Sequence, residues 1–523
     1  MSKSNFKDFY WFLFVILILD ILFHWHEILH VPPLESHLWR QTDSLSTIQS
    51  YFYDHNSFFK PHTNDYSDFN KNTCLTEFPL LYYISSFSWK FTGEVYWVPR
   101  LLNLLLTLVG VFALYKITIH FTKSLFLGII LVFFIFASPT FSIYAISFIP
   151  NVPALSFVFF AWFQAVKFYE SNLNKHILFC FLALTLACLL KITMAISLFI
   201  FLFLTIYFYW KKKFDKKKFL LILTLLFCTI IIVFSWVLYL KSYNSNNASE
   251  RLFQAFSVFN HSFAAFKSIF EKQFFENLFL IENKLFYVFI LLVIIFNYVK
   301  IIKRKEFILG IIHLIMILGL TVYFLLFCFS FINHDYYMLD FIPFILLHII
   351  TLLYFVKDFK KQKVIKILLI LISLFFLSYS TSHVLSKHFD DNTAFKKFLS
   401  QNISKSDKEF YDYYRFASGN RINLFKYRKT LKRLNINRNT PVIVLPDSSP
   451  NSPLFFLNLR GVTSFHLSTF QPFLESINLL KKHNYKYLIN FNKADLDLKK
   501  NISSIQNKEI IFEDQHIIIY KLK

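Results

Sequence analysis

Long apolar runs alternate with short polar segments over the first three quarters of the chain. The runs lie at about 9–26, 97–115, 124–140, 150–168, 176–190, 193–210, 219–240, 284–299, 308–331, 338–356 and 366–385. A helix needs about 20 mainly apolar residues to cross a bilayer. The pattern therefore predicts a polytopic α-helical membrane protein with about 11 transmembrane helices.

Composition and charge fit this prediction. The chain is 55% hydrophobic and carries a net charge of +23. Its basic residues collect in alternate connections between the runs: Lys3, Lys7, Lys116, Lys123, Lys167, Lys175, Lys211–Lys213, Lys216–Lys218, Lys300, Lys303, Arg304, Lys305, Lys357, Lys360, Lys361, Lys363 and Lys366. The positive-inside rule then places the N-terminus in the cytoplasm and the C-terminus outside it. Membrane topology accounts for the charge, so we expect membrane lipids as partners and no nucleic acid.

Three polar segments are predicted to lie outside the membrane. The first loop spans about 27–95, and the tail begins near 386. Between them, the Phe-rich segment 241–283 is interpreted as a helix in the membrane interface or as a helix packed on the spans.

The tail combines the patterns of strands and helices. Strand-like runs lie at 441–446, 486–491 and 509–522, with a helical stretch at 473–483. We therefore divide the chain into a transmembrane catalytic domain (1–385), whose first loop carries the site, and a C-terminal extracytoplasmic α/β domain (386–523).

His26-Glu27-Ile28-Leu29-His30 has the form H-E-x-x-H, which binds zinc when it lies on a helix. Pro32 and Pro33 end any such helix soon after His30. A catalytic zinc ion also needs a third ligand, and no downstream motif marks one. A membrane metalloprotease is therefore a minor hypothesis. The alternative is a helix end whose histidines reach the lipid headgroups, and we assign no metal site.

Two amphipathic helices are predicted in the first loop, at 36–55 and 76–93. The first carries an apolar stripe opposite a polar face with Arg40, Asp43 and Thr47. Arg40 and Asp43 are three residues apart, a spacing that also suits an ordinary surface ion pair. Helices lying on the membrane surface would hold Asp43 and Glu77 at the boundary between water and lipid.

Five segments form an ordered set along the membrane part. They are HLWRQTDSLSTIQSYFYDHNSFFKP (37–61), TEFPLLYYISSFSWKFTG (76–93), VPRLLNLLLTLVGVFALYKI (98–117), SPTFSIYAISFIPNVPALSFVFFAW (138–162) and NHDYYMLDFIPFILLH (333–348). Together they resemble the GT-C glycosyltransferases, in particular the bacterial branch grouped with dolichyl-phosphate-mannose protein mannosyltransferases and the aminoarabinose transferase of lipid A. The tail is only weakly similar.

The resemblance implies an enzyme of the bacterial cytoplasmic membrane that moves a sugar from a polyprenyl phosphate to a glycan, lipid or protein acceptor. It implies that Asp43 is the general base, and we expect Glu77 to orient the substrate or support Asp43. The departing phosphate needs cations. Candidate donor-binding residues are Arg40, Arg100, Lys191, His334, Asp335, Tyr336 and Tyr337.

The chain departs from the family pattern before the fourth span, where Asn151 replaces a common acidic residue, and from the aminoarabinose branch at the start of the second first-loop helix. That branch has Glu-Lys-Pro-Pro where this chain has Glu77-Phe78-Pro79-Leu80, so the phosphate contact of that lysine must fall to Arg40, Arg100 or Lys191. Lys191 follows an apolar run, where an ionisable side chain is costly unless it is paired or used. Reaching the headgroups is its alternative role.

Two further questions stay open at this point. A transporter or flippase of lipid-linked intermediates would also need basic groups among its spans, although paired repeats and broken helices are not visible in the sequence. We assign no cofactor, but carboxylates and histidines on the outer face are compatible with a divalent cation.

Overall fold

The computed structural model describes residues 3–34, 37–68, 71–72, 77–246, 262, 264, 267, 270–271, 283–332, 334–358, 362–389, 394–399, 401, 403–467, 473–492 and 496–523. Contacts divide the chain into two compact units. Unit 1 comprises Met1–His30, Arg100–Trp236 and Ala255–Glu409, and unit 2 comprises Val31–Pro99, Val237–Gln254 and Phe410–Lys523. The first loop thus shares a unit with most of the tail. The division of the chain after residue 385 stays a prediction.

Most of the described residues are helical. In chain order, the helices are α1 (Lys3–Phe23), α2 (Trp25–Ile28), α3 (Leu38–Tyr53), α4 (Leu80–Thr92), α5 (Trp97–Thr122), α6 (Leu125–Phe136), α7 (Pro139–Ala145), α8 (Asn151–Ser171), α9 (Asn174–Leu190), α10 (Ile196–Trp210), α11 (Lys216–Asn246), α12 (Lys284–Arg304), α13 (Phe307–Phe327), α14 (Ile342–Val356), α15 (Gln362–His388), α16 (Ala394–Leu399), α17 (Lys405–Ile422), α18 (Arg428–Arg433), α19 (Ser452–Leu457), α20 (Ser464–Leu467), α21 (Phe473–Lys482) and α22 (Leu496–Ser503). Short 3₁₀ helices cover Ile192–Ala195, Cys328–Ile332, Asp335–Phe341 and Asn423–Tyr427.

Apolar helices confirm the predicted membrane fold. Within the described residues, eight helices are long and apolar enough to cross a membrane, or nine if α6 and α7, which meet at 86°, form one bent span. The two remaining predicted runs are also helical, as α1 and the shorter α9. The chain is therefore an integral membrane protein. The helix predicted within 241–283 lies almost entirely outside the described residues.

Strands β1 (Tyr66–Asp68) and β2 (Lys71–Asn72) form a small antiparallel pair in the first loop. The tail contributes β3 (Pro441–Leu445), β4 (Arg460–Thr463), β5 (Tyr487–Asn490), β6 (Lys508–Glu513) and β7 (Ile518–Leu522). These five form one sheet in the order β4-β3-β5-β7-β6. Strand β3 runs parallel to β4 and β5, whereas β7 is antiparallel to β5 and β6. The predicted α/β tail is confirmed, and β4 is the strand that the sequence did not reveal.

Unit 2 has its own apolar core around this sheet. The core joins side chains of β3, β5 and β7 to side chains of α21 and α22, and Tyr66 of the first loop packs into it. The first loop also extends the sheet edge, because Gly461 of β4 donates its N–H to the Asn64 carbonyl at 3.2 Å and forms a parallel bridge with Asp65. The loop is thereby anchored to the tail within one folded body.

Gly461 permits a close approach between strands. A Cβ atom added there would lie 1.9 Å from the Val442 carbonyl oxygen. Backbone atoms of a central strand cannot withdraw as a flexible side chain would, so the position accepts only glycine without a shift of the sheet.

We predict that Gly461→Ala destabilises unit 2 by about 1–3 kcal/mol, the usual range for an overpacked position. Apparent melting of the purified protein, followed by tryptophan fluorescence in detergent, measures the change. Gly419→Ala in α17 is the matched control, because a Cβ there meets nothing within 4 Å and alanine favours the helix. Equal melting temperatures for Gly461→Ala and wild type would contradict the prediction.

Candidate active site

The polar face of α3 is buried within unit 2. Its fully buried polar residues are Thr42, Ser44, Ser46, Thr47, Gln49 and Ser50. The prediction that α3 lies on the membrane surface is therefore wrong. The physical reason is that other parts of unit 2 supply hydrogen-bond partners for this face. Thr42 Oγ1 lies 3.0 Å from Ser452 Oγ, and Gln49 donates to Glu94 at 2.7 Å.

The second predicted helix, observed as α4, does expose apolar side chains. Ile84, Phe87 and Phe91 are 40%, 53% and 78% exposed. These residues repeat at helical spacing, as expected for a helix with one apolar face turned towards lipid. The two first-loop helices thus differ: α3 is enclosed by protein, and α4 presents an open apolar face.

Asp43 is held by the side chain of Asn451. The carboxyl residue is 4% exposed, and the Asn451 amide donates to its Oδ1 at 3.1 Å. The same amide nitrogen lies 2.7 Å from Ser46 Oγ and 3.1 Å from the Thr42 carbonyl oxygen. Asn451 is itself fully buried and lies immediately before α19. A residue of the tail therefore fixes the orientation of the predicted base.

Arg40 and Glu77 form an ion pair one helical turn before Asp43. The two side chains are 15% and 18% exposed. Arg40 also donates to Ser44 Oγ at 3.1 Å, and Ser44 Oγ lies 3.2 Å from the Tyr82 hydroxyl. Burial and the charge of Glu77 raise the pKa of Tyr82 to about 12. The sequence-predicted residues Arg40 and Asp43 thus lie on α3, and Glu77 lies in the segment that precedes α4, all within unit 2.

An ion cluster fixes the far end of α3. Asp54 accepts hydrogen bonds from Arg438 at 2.9 Å and from Arg460 at 2.6 Å. Burial would raise the pKa of Asp54, but the hydrogen bonds and charges of the two arginines hold it below its usual value. Burial and the charge of Arg460 lower the pKa of the neighbouring His62 to about 4, so this histidine is neutral near pH 7.

Glu94 forms a second buried pair with Arg428. Arg428 donates to both carboxylate oxygens, at 2.7 and 3.0 Å, and Tyr53 donates to the same carboxylate at 2.7 Å. Burial raises the pKa of Glu94, but the charge of Arg428 and the hydrogen bonds from Arg428, Gln49 and Tyr53 together hold it below its usual value. A two-pronged arginine contact fixes direction as well as distance. Asp54, directly after α3, and Glu94, shortly after α4, are therefore both bonded to the tail.

Lys191 lies in unit 1, at a break between helices. Its backbone is extended between the end of α9 and the 3₁₀ helix that precedes α10. Lys191 Nζ lies 2.8 Å from Asp340 Oδ1 and 5.4 Å from the Tyr337 ring centroid. The side chains are 13% and 2% exposed, so this is a largely buried pair. Asp340 was not among the site residues predicted from the sequence.

The predicted His-Asp-Tyr-Tyr segment belongs to the same unit. Asp335 accepts a hydrogen bond from the Tyr144 hydroxyl at 2.5 Å. The ring of His334 lies 5.2 Å from that of Tyr336 and 5.8 Å from that of Tyr337. The structure thus brings Lys191 and Tyr337 together.

Arg100 is enclosed in unit 1, with 1% of its surface exposed. It donates to the Ile146 carbonyl at 2.7 Å and lies 4.1 Å from the Phe148 ring centroid. These contacts give Arg100 a structural role in the loop before α8. Its contact with a donor phosphate stays a prediction.

The H-E-x-x-H residues are not arranged as that motif requires. Helix α2 contains His26 and Glu27 but ends at Ile28, so His30 lies beyond it. Glu27 instead pairs with Lys396, 2.5 Å away, and with His24. The hydrogen bond and charge of Lys396 help to hold the pKa of Glu27 below its usual value. The two histidines of the motif therefore do not lie on one helix, as the metalloprotease hypothesis requires, and Glu27 is engaged in other contacts.

The most informative site residues missed by sequence reasoning are Asn451, Arg428, Arg438 and Arg460. Each lies more than 300 positions from its first-loop partner. The polar face of α3 was the one sequence signal for such partners, because its hydroxyl and amide groups need hydrogen bonds wherever the face is buried. It indicates a partner surface but not its residues.

Comparisons with known proteins address the family and the fold. Residues 76–236 match the model of the family described as dolichyl-phosphate-mannose-protein mannosyltransferase. The sequence has no significant match among curated protein sequences.

Two solved structures resemble the whole fold. The crystal structure of ArnT from Cupriavidus metallidurans bound to undecaprenyl phosphate is 11% identical, with a TM-score of 0.54 over 99% of this chain and 98% of that one. The archaeal oligosaccharyltransferase AglB from Archaeoglobus fulgidus, in complex with an inhibitory peptide and a dolichol-phosphate, is 12% identical, with a TM-score of 0.55 over 92% of this chain and 69% of that one. At these identities the likeness establishes the fold alone.

Three findings point to the same kind of membrane protein: the apolar helices, the small C-terminal sheet and the match of residues 76–236. The chain therefore has the fold of the GT-C membrane glycosyltransferases ArnT and AglB, and its residues 76–236 resemble the dolichyl-phosphate-mannose-protein mannosyltransferase family.

Proposed function

We propose that the protein transfers a sugar from a polyprenyl-phosphate donor to a hydroxyl group of a glycan, lipid or protein acceptor. Two fold neighbours support this donor class: the ArnT structure contains undecaprenyl phosphate, and the AglB structure contains a dolichol-phosphate. The positive-inside pattern supports an acceptor outside the cytoplasm and a protein of the bacterial cytoplasmic membrane. The C-terminal domain then lies on the outer side.

The observation that carries the proposal is the buried carboxylate of Asp43 with one oxygen fixed by Asn451. A carboxylate is costly to bury, so a buried and oriented one marks a site of structural or chemical use. The neutral side-chain amide of Asn451 donates a hydrogen bond to Asp43 Oδ1. This bond orients the carboxylate without neutralising its charge. Orientation of this kind is what a general base requires.

In the proposed reaction, Asp43 takes the proton of the acceptor hydroxyl. The acceptor oxygen then attacks the anomeric carbon of the sugar, and the bond between that carbon and the phosphate oxygen breaks. The lipid phosphate leaves as an anion, which needs a cation and no proton donor. Arg40 of unit 2 and Lys191 of unit 1 remain the candidate cations. Each is paired with a carboxylate of its own unit, and the phosphate would have to compete with that carboxylate.

The remaining candidate residues have supporting roles in this proposal. Glu77 holds the Arg40 side chain, and Asp340 holds Lys191. His334, Asp335, Tyr336 and Tyr337 would contact the sugar or phosphate, with Asp335 oriented by Tyr144. Arg100 would act through the loop that it fixes.

We predict that Asp43→Asn lowers the turnover of sugar transfer at least about 100-fold, the usual contribution of a general base. Binding of the polyprenyl-phosphate donor should not change, because the variant keeps the shape of the side chain. Turnover and donor binding are measured separately with radiolabelled donor. Asp497→Asn, at an exposed position of α22, is the control for loss of a carboxylate. Transfer at the wild-type rate by a folded Asp43→Asn protein would refute the base assignment.

Asn451→Ala should lower turnover by about 10–100-fold, the size expected for a hydrogen bond to a charged group. The Michaelis constant for the donor should stay the same. Asn501→Ala, on an exposed residue, serves as the control.

Asn451→Asp provides a readout that a merely structural role would not give. Two neighbouring carboxylates resist joint ionisation, so the acid limb of the pH–rate profile should move to higher pH. An unchanged profile together with a lowered melting temperature would leave Asn451 as a structural residue.

We predict that Lys191→Gln weakens binding of polyprenyl phosphate by about 10–100-fold, since it removes a charge-assisted hydrogen bond. Retention of radiolabelled polyprenyl phosphate on the purified protein measures the effect. Lys175→Gln, on an exposed residue in the first turn of α9, is the matched control. If the Lys191→Gln protein binds the lipid like wild type and only melts at a lower temperature, then Lys191 pairs with Asp340 for stability and does not bind the donor.

A further inference from the structure

The segment that follows α1 gathers several metal-binding side chains. His24, His26 and Glu27 each offer one ligand atom, and these atoms all lie within 4.8 Å of one another. We propose that the three residues bind one divalent transition-metal ion, with zinc as the best match. Imidazole nitrogens suit zinc and its neighbours in the first transition row, and two histidines with one glutamate form a known zinc ligand set.

The observed distances are close to those that such a site needs. Ligand atoms at about 2.0–2.2 Å from a tetrahedral zinc ion lie about 3.3 Å from each other. Glu27 Oε1 is 2.8 Å from His24 Nδ1 and 3.9 Å from His26 Nε2. These two separations bracket the required value, and the third, between the two histidines, is within 4.8 Å. Side-chain movements of about 1 Å would therefore bring the three ligand atoms to the distances of a zinc site. The ion would take the place of the hydrogen bond between His24 Nδ1 and Glu27 Oε1.

Asp20 provides a second, independent indication. Its carboxylate accepts a hydrogen bond from the His26 backbone N–H at 3.0 Å and lies 3.2 Å from His26 Nδ1. A carboxylate on one ring nitrogen of a histidine fixes the ring and directs the other nitrogen to a metal, an arrangement found around many zinc ligands. The Nε2 atom directed in this way is the one nearest to Glu27. The first-span aspartate is thus a positioning residue for His26.

Glu27 uses its two oxygens separately. Oε1 faces the histidines, and Oε2 lies 2.5 Å from Lys396 Nζ. The ion can therefore occupy the Oε1 side while Lys396 keeps its contact. His30 lies beyond α2 and is not part of the group. The ligand set thus differs from H-E-x-x-H, because Glu27 binds the ion and is not available as a base.

Three protein ligands leave a fourth position for water. The ion would join the end of α1 to Glu27 and, through Lys396, to α16. Since the ion binds the folded arrangement of the three side chains, it would stabilise unit 1. This role is separate from sugar transfer and does not depend on it.

The test uses tag-free full-length protein in detergent, stripped of metal with a chelator. Zinc is titrated in competition with a fluorescent zinc indicator, and melting is followed with and without zinc. Wild type should bind one ion per chain at this site and melt at a higher temperature with zinc. His24→Ala and His26→Ala should each lose that ion, and Asp20→Asn should weaken binding about 10–100-fold.

His30→Ala is the matched control, since it removes a histidine of the sequence motif from outside the cluster. It should bind zinc like wild type. A loss as large as that of His26→Ala would establish the H-E-x-x-H ligand set and overturn the proposal. Binding that is equal in wild type and in a folded His24→Ala/His26→Ala double variant would also overturn it. His26 is largely exposed, so its substitution is expected to leave the fold intact.

Discussion

The structure of unit 2 depends on one requirement: each buried polar group of α3 must find a hydrogen-bond partner. Six of its polar side chains are fully buried, and Asp43 is nearly so. Lipid cannot supply partners for these groups. The tail supplies them through Asn451, Ser452 and Arg428, directly or by way of Glu94. The C-terminal domain therefore completes the first loop as well as following it in sequence.

Charge pairs then decide the orientation of this assembly. The side chains of Asp54 and Glu94 are largely buried, with 11% and 8% exposed, and burial opposes their ionisation. The charges and hydrogen bonds around each carboxylate outweigh burial, so both pKa values lie below their usual values. The two carboxylates therefore remain charged and keep their contacts with the arginines. Removing one partner of such a buried pair typically costs about 3–5 kcal/mol, because the other charge is left without compensation. These pairs anchor the segment that carries Asp43, which suits the proposed role of Asp43 as a base directed at one hydroxyl.

Sequence patterns predicted those helices and strands that depend on residues close together along the chain. Apolar runs predicted the helices, and alternating strand-like runs predicted β3, β5, β6 and β7, because each depends on neighbours along the chain. The burial of α3 was not predictable in this way, since Asn451 lies 408 positions from Asp43. Strand β4 was missed because its four residues include Gly461, which weakens the strand signal.

The H-E-x-x-H residues show that a local sequence pattern can also suggest a site that the tertiary structure does not form. Their spacing satisfied a local pattern, but tertiary contacts decided what each side chain does. Helix α2 is too short to hold both histidines, and Asp20 and Lys396 determine the positions of His26 and Glu27. A motif therefore indicates chemistry only when its predicted structural context is present.

The proposed reaction consumes a lipid-linked sugar, and that consumption can be followed directly. The decisive measurement is the chemical fate of a radiolabelled polyprenyl-phosphate hexose incubated with purified protein and an envelope extract that supplies acceptor. We expect release of free polyprenyl phosphate together with transfer of the label to an acceptor. Lipid that is bound, or moved across a vesicle membrane, with its sugar still attached would contradict the proposed function and identify a transporter of lipid-linked intermediates.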